Sequence, residues 1–451
     1  MKKSFRTIFL IVFVLLFQFC KVNDPWPDPT PEAYGTPFDG IPEVENMILY
    51  EVNTRAFGPT HDFEAVIQQL DSIALLGVNV LWLMPIHPIG EVQSVNSPYS
   101  VKDYEAINPE FGDIFQLRQL SDSAHARGMA VILDWVANHT AWDHEWIEAH
   151  PDWYTQDSDG NIIHPAGTNW MDVADLNYMS YDMRAEMIRS MEYWIYEANI
   201  DGFRCDYADG VPFSFWLDAW TALREIPGRK LIFLAEGKRK DHFTAGFDLC
   251  FSWDFYGITK QVFSGSPATQ ILPVHHEEYQ NTPTGKHWLR FTTNHDESAW
   301  DATPIELFNG DKGALAASVI SIFTGGVPLI YGSQEVGTAQ TIPFFSQSSI
   351  DWSNNPELLN SYRSILSFYR TSNTAKSPNI TEFSTEDLFC ILKEESENDL
   401  LIMVNVRNSQ QDFILPNELH GSNWIDGQSQ ESFSLSSEIS LQPYEYLLLV
   451  R

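Results

Sequence analysis

From Met47 onward, apolar residues fall into short β-rich runs separated by stretches of helical spacing, and eight such runs stand out. They are "MILYEVN" from Met47, "VNVLWLMPI" from Val78, "MAVILDW" from Met129, "IDGFRCD" from Ile200, "KLIFLAE" from Lys230, "FDLCFSW" from Phe247, "LRFTTNHD" from Leu289 and "GVPLIYG" from Gly326. Between them, "DFEAVIQQLDSIALLG" brings Val66, Leu70, Ile73 and Leu76 back at helical intervals, and "SYDMRAEMIRSMEYWIYEAN" puts Met187, Met191, Trp194 and Ala198 on one face. Strand patterns alternating with helix patterns predict a parallel sheet with crossover helices. Eight strands over about 250 residues or somewhat more is the size of a (β/α)8 barrel. A doubly wound open sheet is the competing arrangement.

Two regions break the alternation. Between "DWVANHT" and Ser180 there are aromatics, glycines and prolines with little period, so residues 141–177 are expected to form a short inserted subdomain after strand three. After "NPELLNSYRSILSFYRTS" the runs become short and alternating, as in "LFCILKEE", "DLLIMVNVR" and "YEYLLLV". These predict an all-β sandwich over residues 373–451, behind a barrel over 45–372.

The chain begins "MKKSFRTIFLIVFVLLFQFC", a basic start and an apolar run too short for an ordinary spanning helix, which predicts an export signal over residues 1–20. Cys20 directly after that run, followed by a Pro-rich stretch, resembles a bacterial lipoprotein site with a linker over residues 21–44. The expectation is therefore an exported protein held at a membrane through an N-terminal lipid. Cys205, Cys250 and Cys390 are an odd remainder and imply no complete disulfide framework. The formal net charge of −34 argues against nucleic acid as a partner and suits a neutral substrate.

In a (β/α)8 barrel the reactive groups sit where the C-terminal strand ends converge. Here the third, fourth, fifth and seventh runs carry Asp134, Asp206, Glu236 and Asp296 at or next to their C-terminal ends. A carboxylate in an apolar run costs several kcal/mol unless paired or wetted, so four on one rim are a poor way to build stability. Glycoside hydrolysis with retention needs such groups: a carboxylate nucleophile and a carboxylic acid about 5 to 5.5 Å apart. Arg204 shares a side of its strand with Asp206 by the period of two and is expected to lower that carboxyl's pKa. Glu236 would have to stay protonated, which neighbouring negative charge favours.

At this point the chain resembles the α-amylase family of glycoside hydrolases, from "ILYEVNTRAF" to the C-terminal β module. The segments carrying the resemblance are "DWVANH", "GFRCDYADG", "LAEG" and "FTTNHDE", in order on the proposed strands, with "SPYSVKDYEAINPEFG", "VADLN" and "GVPLIYGSQE" as weaker ones. The resemblance implies that Asp206 is the nucleophile, Glu236 the general acid and base, and Asp296 the carboxylate that grips sugar hydroxyls. It further implies that His139 and His295 bond the sugar, that Tyr99 stacks on its face, that Arg204 belongs with them to the substrate-binding set, and that Asp134 is a structural partner near Arg204. By the same resemblance Asn138, Asp175 and a carbonyl near Gly210 are candidate calcium ligands, and oxygen donors suit that ion. No organic cofactor is implied. Many relatives carry Lys-His at the third and fourth positions after the nucleophile, where this chain has Asp209 and Gly210.

The implied reaction is retaining hydrolysis of α-1,4-glucans such as starch, glycogen or maltooligosaccharides. Neopullulanase or cyclodextrinase, exo-α-glucosidase and glucan transferase activities are alternatives, and a non-catalytic glycan-binding lipoprotein is the alternative of another class. His139, His144, Glu145 and His150 lie close in sequence without the spacing of a zinc hydrolase. Trp142, Trp146, Trp153 and Tyr154 suit either a glucan groove or the core of the insert.

Overall fold

The computed structural model describes residues 33–451 apart from 397, 421 and 422. The proposed signal, Cys20 and the first half of the proposed linker lie outside the described residues. Eight parallel strands close into a barrel: β1 (Leu49–Val52), β2 (Val80–Leu83), β3 (Ala130–Trp135), β4 (Gly202–Cys205), β5 (Ile232–Ala235), β6 (Leu249–Phe251), β7 (His287–Arg290) and β8 (Val327–Tyr331). Pairing of Leu49 with Leu329 joins first strand to last, so the sheet is closed and not an open doubly wound one. Seven of the eight sequence-predicted runs contain their strand, and the seventh run begins two residues late, at Leu289 against His287. The seventh run extends too far: pairing ends at Arg290, and Asp296 sits in the first turn of the helix His295–Trp300.

Alternation along the strands sorts side chains between two cores. Leu49, Val80, Ala130, Ile132, Ile232, Leu234, Leu289 and Leu329 fill the barrel interior, while Tyr50, Leu81, Val131, Phe203 and Phe233 face the helices. The helix Phe63–Leu75 buries Val66, Leu70 and Ile73, and Tyr181–Glu197 buries Met183, Met187, Met191 and Trp194. Both begin at capped residues, with the Asp62 and Ser180 side chains accepting from Ala65 and Met183 N–H groups.

The described part of the proposed linker is no free spacer. Ile41 is buried with the barrel-interior residues, the Phe38 ring stacks on His125, and Tyr34 N–H donates to the Tyr196 carbonyl at 2.7 Å. Its apolar residues cover barrel surface in spite of the prolines around them. The insert is framed by the antiparallel pair His139–Ala141 and Val173–Asp175, so it starts two residues earlier than predicted. Beyond the helix Pro356–Thr371, the C-terminal strands form a six-stranded antiparallel sheet and a separate pair, with Trp424 buried among them. Arg407 ties this module to the barrel by donating to the Val262 and Ser266 carbonyls at 2.6 and 2.8 Å. No helix among the described residues is long and apolar enough to cross a membrane.

Candidate active site

The period of two that points Leu49, Val80 and Ile132 into the barrel also points Glu51, Trp82, Asp134 and Arg204 inward, one layer nearer the C-terminal rim. Arg204 is buried and its guanidinium lies over the Trp82 ring at 4.9 Å. One terminal nitrogen donates to Asp134 at 2.7 Å and to Asp206 at 3.1 Å, and the other lies 2.9 Å from Glu236. One cation therefore serves three carboxylates on three neighbouring strands. Asp134 is held further by Tyr99 Oη at 3.0 Å and Trp82 Nε1 at 3.2 Å.

That sharing overturns one expectation. Burial and the neighbouring Glu236 push the Asp206 carboxyl well above its ordinary range, against the pull of Arg204. Burial also pushes Glu236 up, aided by Asp296 and opposed by Arg204 and by a hydrogen bond from the Tyr207 N–H. Arg204 cannot hold Asp206 low because its charge is divided, and the dry pair favours keeping a proton between its members. The Tyr207 N–H reaches Glu236 Oε2 at 2.7 Å because Tyr207 turns in the left-handed region, with φ 41°. A tyrosine in that region carries strain of about 1–3 kcal/mol, here placed directly after the candidate nucleophile.

Opposite stands Asp296, beside His295. The His295 ring is gripped at both nitrogens: Nδ1 bonds Glu51 at 2.5 Å, and Nε2 bonds Tyr99 Oη at 2.7 Å and lies 3.5 Å from Asp296. Burial disfavours charge on this ring, but Asp296 and Glu51 outweigh it and raise the pKa to about 9. His139 shows the reverse, since burial alone lowers it to about 4. Burial likewise raises Glu51.

The structure brings Tyr99, His139, Asp206, Glu236, His295 and Asp296 to one groove of about 710 Å³. Trp146, Trp153 and Tyr154 are buried in the insert and its junction with the barrel, so they form its core and do not line the groove. Trp142 is half-buried and donates to the Met171 carbonyl. The groove's aromatic walls are instead Trp170 with Tyr207, and Trp300 with Phe344 and Phe345. His144 accepts the Trp146 N–H and His150 stacks on Trp153, so both serve the insert. Asp209, where the chain leaves the common family pattern, accepts from the Lys238 and Arg239 N–H groups and bonds His242, fastening the loop that follows Glu236.

Of the candidate calcium ligands, Asn138 points Oδ1 at Gly210, where a methyl group would lie 2.5 Å away. Asp175 pairs across the hairpin with His139, and its half-buried carboxyl is raised by burial. Asn138 and Asp175 supply oxygen donors of the type a hard cation takes.

Sequence reasoning missed Glu51, Tyr207 and the Trp300 wall. The first was detectable as a carboxylate in phase with Leu49 on the barrel-facing side of its strand. The others depend on loop conformations that no spacing encodes.

Comparison with known proteins agrees with this geometry. The family model of the α-amylase catalytic domain matches residues 50–247. The α-amylase MalA of Haloarcula japonica is 25% identical over 87% of this chain, which spans 60% of that protein's length. An α-amylase from Lactobacillus plantarum superposes with a TM-score of 0.82 at 24% identity, covering 91% of this chain and 99% of its own. A maltogenic α-amylase, AmyB, from Thermotoga neapolitana gives 0.81 at 25% identity, with coverages of 91% and 99%. Sequence segments, closed barrel and clustered carboxylates agree with that match, and residues 50–247 carry an α-amylase-type catalytic domain sequence.

Proposed function

We propose that the protein is a retaining glycosidase that hydrolyses α-1,4-glucosidic bonds of starch, glycogen or maltooligosaccharides. The observation that carries this is the single guanidinium of Arg204 in contact with both Asp206 and Glu236, which brings a nucleophile and an acid to one point of the groove. Asp206 attacks the anomeric carbon while Glu236 gives its proton to the departing glycosidic oxygen, leaving a glycosyl ester. Glu236 then takes a proton from water, whose oxygen attacks the same carbon and releases Asp206. Asp296 and the charged His295 bind hydroxyls of the distorted sugar, and neutral His139 can accept as well as donate.

Asp206→Asn and Glu236→Gln should each remove nearly all turnover of amylose, and retained turnover would refute the assignment. NMR of the fresh product should show the α-anomer, whereas an initial β-anomer would exclude double displacement. Product profiles on amylose, pullulan and cyclodextrin distinguish α-amylase from neopullulanase or cyclodextrinase action. A wild-type protein that binds maltooligosaccharides without cleaving them would support the glycan-binding alternative.

We also propose export and lipid attachment at Cys20, which rest on the sequence of residues 1–20. Incorporation of labelled palmitate that disappears in Cys20→Ser would support them. A bound calcium at Asn138, Asp175 and the Gly210 carbonyl would clamp the insert to the β3 and β4 loops. Chelation should then lower Tm, and less so in Asp175→Asn.

A further inference from the structure

The two aromatic walls of the groove adjoin different catalytic groups. Trp170 and Tyr207 lie 5.0 Å apart, and Tyr207 is bonded through its N–H to Glu236. This wall therefore stands on the acid's side, where the leaving sugar departs. The opposite wall begins with Tyr99 stacked on His295 at 5.4 Å and runs outward. Phe344 stacks on Tyr99 at 5.7 Å, and Trp300 packs on Phe344 at 5.4 Å and on Phe345 at 5.5 Å.

Exposure rises along the same line. Tyr99 is buried, whereas Phe345 is 37% and Trp300 is 62% exposed. Large rings left in water at the mouth of a groove mark a binding surface. Their position is also fixed. Asn96 donates from Nδ2 to the Phe345 carbonyl at 2.6 Å, and buried Arg55 donates to both the carbonyl and the side-chain oxygen of Asn96 at 2.9 Å. Asn96 itself sits in the left-handed region at φ 66°. Two loops, one after β2 and one after β8, are thus strapped together behind the exposed rings. A surface organised before the ligand arrives loses less entropy on binding.

We propose that Trp300 and Phe345, backed by Phe344, are a stacking platform for a glucosyl unit on the non-reducing side of the cleaved bond, beyond the sugar at Tyr99. This rests on the glycosidase reading above and adds a length requirement to it. A substrate with a single glucosyl unit before the bond gains nothing from the platform, while one with two or three does. Aromatic faces match the C–H faces of such sugars.

α-Glucosyl fluoride and α-maltotriosyl fluoride share a leaving group and differ in how far they reach along this wall. In the full chain, Trp300→Ala should lower the ratio of kcat/KM for maltotriosyl fluoride to that for glucosyl fluoride about 10-fold, chiefly through KM. Phe345→Ala should lower it less, and Trp300→Phe should restore most of the ratio. An unchanged ratio, whether both substrates suffer equally or neither does, would overturn the proposal. A wild-type protein that turns over neither fluoride would instead refute the glycosidase reading. Calorimetric titration of maltotetraose into the wild type and Trp300→Ala then decides the platform directly: weakening of about 10-fold supports it, and equal affinity overturns it.

Discussion

Glu51→Gln probes the electrostatics of the site without replacing a group that meets substrate. Glu51 is fully buried at the end of β1, with Oε1 on His295 Nδ1 at 2.5 Å and Oε2 without a hydrogen-bond partner among the described residues. Glutamine keeps an oxygen for the Nδ1–H and removes the charge. The rise of the His295 pKa from 6.5 to about 9 is worth about 3 kcal/mol in favour of the charged ring. Two charges about 4 Å apart at an effective dielectric of about 20 interact by about 4 kcal/mol, so Glu51 is strong enough to sustain that rise with Asp296. The substitution should lower the His295 pKa by about 2, into the neutral range. Histidine-selective nitrogen NMR reads this directly, and the alkaline limb of kcat/KM on maltooligosaccharides should move down with it. At pH 8 the variant should lose about 10-fold, the value of one charged hydrogen bond made neutral, and at pH 5.5 much less. A His295 titration that does not move, or a loss equal at every pH, would refute the coupling.

Two further substitutions follow from buried charge. Lys393 is buried, donates to the Ala375 carbonyl at 2.7 Å, and has a pKa lowered to about 7 by burial and by Arg290. Its folded value lies below its unfolded one, so the unfolded chain binds the extra proton between about pH 7 and 10.5 and stability should rise with pH across that window. Lys393→Met should flatten this rise, seen by urea unfolding at pH 7 and pH 9.5, and a slope unchanged from wild type would contradict it. Asp209 is opposite in sign: burial raises it, but His242 and the Lys238 N–H outweigh burial and hold it below its ordinary value. It therefore contributes stability above its unfolded pKa that is lost as pH falls through the lower folded one. Asp209→Asn should cost about 1–3 kcal/mol at pH 7 and lower kcat more than KM is raised, and thermal unfolding with steady-state kinetics tests both.

The barrel was legible because burial on both faces leaves its mark on every strand as an apolar run, and because the crossover helices keep one apolar stripe each. Asp206 and Glu236 follow directly on β4 and β5, so locating the strands located them. Asp296 was found for a partly wrong reason. The run "LRFTTNHD" continues with the strand-favouring Phe291, Thr292 and Thr293 past the last paired residue, yet Asn294 caps a helix by accepting the Glu297 N–H at 2.9 Å. The Asn-x-x-Glu spacing was the available signal for that helix start. Residues 33–44 misled because proline content suggests a spacer, while burial of Ile41 depends on a barrel floor that is assembled from distant strands. The charge on Arg204 misled for a similar reason. Its sequence neighbour is Asp206, but two of its three carboxylates, Asp134 and Glu236, come from other strands.

The same count of charges bears on the chemistry. Glu51, Asp134, Asp206, Glu236 and Asp296 surround two cations, Arg204 and His295. Five ionised carboxylates on two cations would leave a dry site strongly negative, and desolvation of that kind is relieved by taking up protons. Glu51, Asp134, Asp206 and Glu236 are all raised, burial being the first cause in each. On the proposed reaction this excess has two uses. It keeps a proton available for the leaving oxygen at neutral pH, and its remaining negative charge stabilises the positive charge that develops on the sugar in the transition state. A positive charge placed beside the pair should undo both, because it would ionise the acid and repel the oxocarbenium. Arg204 avoids this by lying one layer below the groove, stacked on Trp82 and divided among three carboxylates, so its charge orders the acids without neutralising the site.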